Sequence, residues 1–265
     1  IKVVNYPVRE YTETNLSIEL EYDFNFLVVA QWGVRKNLEN TIRWFIEEFV
    51  DREVGLVIKA NLVNNSVIDK VHAEKRLQNI LLDYPDRKCK VYLLHGYMDN
   101  NEVHSLYNHP KIKSLISLTH GEGYGLPLFE AAYCGMPVIS HDWGGQTDFL
   151  YMPAKDKKTK KEKSKSFYNK VSFDVRPIQE AAVWPGVLEK DSMWAYPEQG
   201  SAKMKMREVH RDYSRIKARA DKLQKYLLEE FSEEKIYKQI VSQIIVEEEF
   251  EVENWLESLD IEVHD

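Results

Sequence analysis

The chain has 265 residues, of which 43% are hydrophobic and 30% charged, and its formal net charge is −7. This length and hydrophobic content allow one large domain, or one domain with a substantial appendage. The negative charge argues against nucleic acid as the main partner, since phosphate backbones require a surplus of Lys and Arg. The two cysteines have no metal-type spacing and predict a reducing, cytoplasmic setting, and no run approaches the roughly 20 apolar residues of a membrane span.

Strands and helices are predicted to alternate along the first 150 residues. Short apolar runs predict buried strands, and segments with apolar residues at helical spacing predict the helices between them. The predicted strands are 24–30, 56–58, 90–94, 115–118 and 137–140, and the predicted helices are 38–49, 67–83 and 127–133. This order is typical of an α/β fold with a doubly wound, Rossmann-like parallel sheet, which binds ligands at the carboxyl ends of its strands.

Three further segments complete the predicted domain organisation. Residues 1–22 are interpreted as a linker or edge segment, 23–246 as the Rossmann-like domain and 247–265 as an acidic tail or helix. A Lys-rich insertion at 155–170 is predicted to be a mobile, solvated loop, and the alternative is contact with an anionic membrane surface or an acceptor. Long charged helices are predicted at 201–231 and 232–246.

The strongest functional pattern lies between His120 and Ala132. Three glycines follow a predicted buried strand, and they allow tight turns and close approach of the backbone to a ligand. Pro127 suits the start of a helix, whose N-terminal amides and dipole favour an anion such as a diphosphate. Glu122 is expected to project from the loop into a cleft, and Glu130 is expected in the first helical turn, where it would accept hydrogen bonds from ribose hydroxyls. The alternative is a capped helix after a glycine-rich turn, in which Glu130 only interacts favourably with the helix dipole.

This segment closely resembles the E-x7-E motif of retaining GT-B glycosyltransferases of the family 4 or group 1 type. The resemblance continues through residues 134–140, similar to a strand of that family, and through 144–148, similar to its glycine pair followed by an acidic residue. Asp148 stands where the family more usually has Glu. The resemblance implies the C-terminal, nucleotide-sugar-binding half of a GT-B enzyme, and a missing N-terminal domain would explain the start at Ile1.

Positions after the first predicted strand are implied to hold the donor diphosphate. Family members carry an Arg and then a Lys there, and Lys36 matches the Lys. Gln31 occupies the Arg position, so either Arg35 substitutes or the pyrophosphate is held differently. Ordinary solvated charges before a helix are the alternative for Arg35 and Lys36.

Other candidates follow later strands. Lys59 ends the second predicted strand, where its amine would pair with phosphate or lie at the rim of the sheet. The turn with Tyr97 and Met98 resembles the family turn that lies against the nucleobase, and turn chemistry alone is the alternative explanation for Gly96 and Asp99 there. His120 is expected to serve packing, with a place in the cleft as the alternative. The complete implied set is Glu122 as catalytic residue and, for the donor, Arg35, Lys36, Lys59, Tyr97, Met98, Gly123, Tyr124, Gly125, Leu126 and Glu130.

The implied reaction transfers a hexose from a UDP- or GDP-linked sugar to a glycan, lipid or protein hydroxyl with retention of configuration. Glu122 would hold sugar hydroxyls or stabilise the oxocarbenium-like state. No cofactor is implied, and the histidine spacings do not fit a metal site. The alternatives are a non-catalytic nucleotide- or partner-binding module, and an NDP-sugar epimerase or phosphorylase of the same architecture. The expected location is cytoplasmic, either free or in peripheral contact with a membrane.

Overall fold

The computed structural model describes residues 3–155 and 161–244. The strands are β1 (Asn25–Val29), β2 (Gly55–Lys59), β3 (Lys90–Leu94), β4 (Ile112–Ser117), β5 (Val138–His141), β6 (Tyr151–Lys155), β7 (Glu162–Ser166), β8 (Asn169–Val171), β9 (Phe173–Pro177) and β10 (Met193–Pro197). The helices are α1 (Leu38–Phe49), α2 (Val67–Leu81), α3 (Asn100–Asn108), α4 (Leu126–Tyr133), α5 (Gln199–Arg211), α6 (Tyr213–Glu230) and α7 (Glu233–Ile244).

A parallel sheet with the strand order β3-β2-β1-β4-β5-β8 forms the centre of the molecule. Each neighbouring pair in it is parallel. The chain first builds outward from β1 to β3 and then returns to the other side of β1 with β4. The predicted α/β, doubly wound, Rossmann-like fold is therefore confirmed.

Two apolar layers cover the sheet, because alternate strand side chains point to opposite faces. Phe26 and Val28 pack into a cluster with α1, α2 and α5, whereas Leu27 packs into the other cluster with α3, α4 and α6. Ile216 of α6 belongs to the first cluster and Leu223 to the second, so this helix passes from one layer to the other.

Residues 3–22 of the described chain form no helix or strand and lie along the second layer. The amide of Val8 donates to the carbonyl of Phe231 at 2.7 Å, and the amide of Thr12 donates to Oδ1 of Asn101 at 3.0 Å. This segment therefore packs against α3 and the end of α6 before the chain enters β1.

The Lys-rich insertion is not a loop in its described part, which corrects the prediction for 155–170. Strand β7 pairs with β6 in an antiparallel hairpin, and β8 then adds a sixth strand to the main sheet. The carboxylate of Asp142 holds the base of the hairpin, since it accepts hydrogen bonds from Tyr151 at 2.7 Å, Tyr168 at 2.5 Å and Lys170 at 2.8 Å. Residues 156–160 lie outside the described residues.

The long helix predicted over 201–231 is two helices. Asp212 separates α5 from α6 with φ −111° and ψ 32°, outside the helical region. Helix α7 confirms the helix predicted over 232–246 as far as Ile244, and the predicted acidic tail at 247–265 lies outside the described residues. Within the ranges 3–155 and 161–244, no helix has the length and apolar character needed to cross a membrane.

Candidate functional site

The loops after β1 and β4 meet at the point where the winding of the sheet reverses. Ligands of doubly wound folds bind outside the carboxyl ends of the strands at this position. The loop after β1 supplies Arg35 and Lys36, and the loop after β4 supplies Glu122. These three side chains are in contact and are called here the charge cluster.

Glu122 lies at the centre of the charge cluster. Its Oε1 accepts a hydrogen bond from Nζ of Lys36 at 2.5 Å, and its Oε2 lies 3.3 Å from Nη1 of Arg35. The same Arg35 nitrogen donates to the carbonyl of Gly121. The Glu122 and Lys36 side chains are 11% and 18% exposed, whereas that of Arg35 is 43% exposed. The cluster joins one carboxylate to two cations, and the better shielded cation is Lys36.

Backbone contacts hold the two loops together. Asn37 follows the single 3-10 turn of Val34–Lys36 in the left-handed conformation, with φ 52°, which Asn tolerates better than most residues. Its side-chain amide donates to the carbonyl of Leu118 at 3.0 Å. The carbonyl of Arg35 accepts from the amide of His120 at 2.7 Å and from the hydroxyl of Thr119 at 3.0 Å. The charged side chains are thus placed by a fixed backbone.

The glycine-rich loop leads from Glu122 into α4. Gly125 has φ 91°, and α4 begins at the next residue, Leu126, with Pro127 in its first turn. Within the described part of the chain, the amides of residues 123–126 donate no hydrogen bond. Unpaired amides at a helix N-terminus favour an anion, since the helix dipole is positive at that end.

Glu130 is the fifth residue of α4, which corrects its predicted place in the first turn. Its Oε2 accepts a hydrogen bond from the buried hydroxyl of Tyr107 at 3.0 Å. Burial raises the pKa of Glu130, although the Tyr107 bond and the charge of Arg9 act in the opposite direction. The side chain also lines a pocket with Tyr6 and Arg9 of the N-terminal segment. The two carboxylates of the E-x7-E motif therefore have different partners.

A glycine pair, Gly144 and Gly145, supports the glycine-rich loop by close backbone contact. The amide of Gly145 donates to the carbonyl of Glu122 at 3.2 Å. A Cβ at Gly145 would lie 2.0 Å from the carbonyl oxygen of Gly123, and Gly144 has φ 112°. Only residues without a Cβ let these two loops approach so closely.

We expect Gly145→Ala to displace the Glu122 loop. The added methyl overlaps backbone, so the loop must move at a cost of about 1–3 kcal/mol in unfolding free energy. Thermal unfolding and nucleotide titration would measure the effect. Gly200→Ala is the matched control, because a Cβ there meets nothing within 4 Å and Ala is favoured over Gly in a helix by about 1 kcal/mol. Equal behaviour of the two variants would contradict the assigned contact.

The remaining predicted residues lie outside the charge cluster. The amine of Lys59 donates to the carbonyl of Gly96, and burial lowers the Lys59 pKa. Tyr97 is 78% exposed, and Met98 packs partly buried on the second layer. The ring of Tyr124 packs among Tyr6, Phe129 and Phe149 with centroid distances of 4.8, 5.5 and 5.0 Å.

His120 is buried, as predicted, and connects the site to β10. Its Nδ1 lies 2.8 Å from the carbonyl oxygen of Ala195, and its ring stacks on Trp194 at a centroid distance of 5.5 Å. Two residues that sequence reasoning did not single out, Asp69 and His95, form a close pair, and His95 directly precedes Gly96, whose carbonyl Lys59 contacts. Ser66, which precedes the helical pattern of α2, is a sequence signal for the N-terminus of that helix. No signal in the sequence indicates that Asp69 contacts His95. In the part of the chain that the structure describes, no three His, Cys, Asp or Glu side chains are grouped to hold a metal ion.

Comparison with known proteins agrees with this fold. Residues 23–154 match the family described as glycosyl transferases group 1. No curated protein matches the chain by sequence. The matched region begins two residues before β1 and ends within β6, so it contains the whole charge cluster and both glycine loops.

Several solved glycosyltransferases have a similar fold. Sucrose-phosphate synthase from Thermosynechococcus elongatus matches 83% of this chain and 44% of its own, with 16% identity and a TM-score of 0.57. A glycosyltransferase from Rickettsia africae matches 84% and 47%, with 9% identity and a TM-score of 0.57. The pneumococcal O-GlcNAc transferase, in complex with UDP and GlcNAc, matches 92% and 39%, with 15% identity and a TM-score of 0.50. The Rossmann-like sheet thus matches GT-B glycosyltransferases, and the chain spans less than half the length of each.

Proposed function

We propose that this protein is a retaining glycosyltransferase whose charge cluster binds the diphosphate of a nucleotide-sugar donor. One observation carries the proposal: Lys36, Arg35 and Glu122 meet at the switch point of the sheet, beside the unpaired amides of residues 123–126. The group 1 match supports a role in sugar transfer. The pneumococcal relative, solved with UDP and GlcNAc, supports a nucleotide-linked donor.

Transfer requires stabilisation of a departing diphosphate. Two cations and a helix N-terminus supply positive potential where that charge develops. In this proposal Lys36 and Arg35 leave Glu122 and pair with phosphate oxygens, and the amides of residues 123–126 contact the same group. This donor set acts without a metal ion.

Glu122, released from the cations, would face the transferred hexose. It is proposed to hold sugar hydroxyls or to stabilise the oxocarbenium-like transition state. Glu130 would hold the ribose, and the turn with Tyr97 and Met98 would contact the base. The acceptor hydroxyl, from a glycan, lipid or protein, would bind mainly to a further GT-B domain, since the matched glycosyltransferases are more than twice as long as the region they share with this chain.

Calorimetric titration with UDP, GDP and ADP tests the donor site, with Mg²⁺ in one series and EDTA in the other. We expect one nucleotide to bind in preference to the others, with the same affinity in both series, because the cationic side chains take the place of a metal. Binding of none would overturn the donor site, and binding that requires Mg²⁺ would overturn the metal-independent mechanism. Binding without transfer by the complete protein would favour a non-catalytic module.

A further inference from the structure

A buried contact between a carboxylate and a histidine lies two strands away from the charge cluster. Nε2 of His95 is 2.7 Å from Oδ2 of Asp69, and the two side chains are 2% and 7% exposed. His95 directly follows β3, and Asp69 lies in the first turn of α2. The contact therefore joins the start of α2 to the turn after β3.

Asp69 is held as an ionised acceptor. Its Oδ2 accepts from the amide of Leu62 and its Oδ1 from that of Val63, both at 2.9 Å. Burial opposes ionisation, but the hydrogen bonds from His95 and from these amides outweigh it and lower the Asp69 pKa. An ionised carboxylate only accepts hydrogen bonds, so Nε2 of His95 carries the proton and donates it to this bond.

The turn of residues 95–99 is fixed at three points. His95 binds Asp69 at its start, the amine of Lys59 binds the carbonyl of Gly96, and Asp99 forms a capping box with Glu102 at its end. Tyr97 lies between these points and is 78% exposed. The backbone of the turn is thus fixed at both ends and at Gly96, while the side chain of Tyr97 is exposed.

Stability alone does not explain a buried carboxylate at this position. An apolar residue of similar volume is often as stable as a buried charged group, because the carboxylate must lose its hydration. Directional hydrogen bonds have a different effect, since they fix the position of the groups that they join.

We infer that Asp69 and His95 are positioning residues that set the nucleobase preference of the donor site by fixing the turn of Tyr97 and Met98. The inference rests on the proposed function, in which this turn contacts the base. The pair does not touch the charge cluster, so diphosphate binding is independent of it.

The test compares nucleoside diphosphates with inorganic pyrophosphate. Calorimetry on the wild type and Asp69→Asn would use UDP, GDP, ADP and pyrophosphate. We expect the preferred nucleotide to bind about tenfold more weakly to the variant, because a displaced turn no longer meets the base. The other two nucleotides should change little, so the preference falls, and pyrophosphate should bind as before.

Two substitutions of His95 separate positioning from packing. His95→Gln retains a donor for Asp69 and should keep most of the preference, whereas His95→Leu fills the space without a donor and should lose it. Leu77→Ala is the matched control, since Leu77 is a buried residue of α2 outside the pair. It should lower the unfolding temperature and leave the nucleotide preference unchanged.

The outcomes are distinct. An equal loss of affinity for all ligands, including pyrophosphate, would overturn the inference, and so would retained preference in Asp69→Asn and His95→Leu. A wild-type protein that binds all three nucleotides equally would overturn it while leaving the donor site intact. A wild type that binds none of the ligands would overturn the proposed function itself.

Discussion

Glu122→Gln is expected to abolish sugar transfer while nucleoside diphosphate binding becomes tighter. The carboxylate now neutralises Lys36 at 2.5 Å and Arg35 at 3.3 Å, so a diphosphate must displace it from both cations. The neutral amide keeps the volume and removes that competition, which should lower the Kd for UDP or GDP about three- to tenfold. Loss of the carboxylate beside the reacting sugar should lower kcat about 10²–10³-fold.

Calorimetry and initial-rate measurements on the complete protein would separate the two effects. Glu39→Gln is the matched control, because Glu39 also pairs with an arginine, Arg76 at 2.7 Å, but is exposed on α1. It should change neither quantity. Full turnover in Glu122→Gln would exclude Glu122 from the reaction, and weaker nucleotide binding would show that its carboxylate helps to hold the nucleotide.

The middle of the central sheet could be predicted because β1 and β2 are buried on both faces. Residues 26–29 and 56–58 are continuous apolar runs, which are typical of parallel strands buried on both faces. Strand β8 escaped prediction because Asn169 and Lys170 are polar. Asn169 is nevertheless buried, and its side-chain amide donates to the carbonyl of Val138. A strand held by such a long-range contact has no local pattern to find.

Helix α3 was missed although a capping signal was present. Asp99 and Glu102 form a capping box, but the helix has only nine residues and few apolar positions. The hairpin of β9 and β10 was missed for another reason. It is secured by the bond from the amide of Ala195 to the carbonyl of His120, which joins residues 75 positions apart.

The candidate site could be predicted in part. Loops that follow neighbouring parallel strands meet at one edge of the sheet, so the proximity of Lys36 and Glu122 followed from strand order. Their direct ion pair did not, because it depends on side-chain conformations that only the folded loops determine. Glu130 shows the same limit: a start of α4 at Leu126 moves it beyond the first turn and towards Tyr107.

Lys36→Ala is expected to weaken nucleoside diphosphate binding more than removal of either other member of the charge cluster. The substitution removes the better shielded cation and leaves Glu122 with only Arg35, at 3.3 Å. A carboxylate without its main partner repels the incoming diphosphate, so two unfavourable effects add. Truncation of one partner of a shielded charge pair costs about 2 kcal/mol or more, which corresponds to roughly a 30-fold increase in Kd. Arg35→Ala should have a smaller effect, since Arg35 is more exposed and its charge is better screened by solvent.

The double variant Lys36→Ala/Glu122→Gln separates these two contributions. If the unpaired carboxylate is part of the loss, the double variant should bind UDP or GDP more tightly than Lys36→Ala alone, and the cycle should show a coupling energy between the two positions. Calorimetry at two salt concentrations would add a second criterion, because both electrostatic contributions weaken with ionic strength. Equal affinities for the single and double variants would mean that Glu122 leaves the diphosphate undisturbed. An unchanged Kd in Lys36→Ala would place the diphosphate elsewhere, because Lys36 is the better shielded cation of the charge cluster.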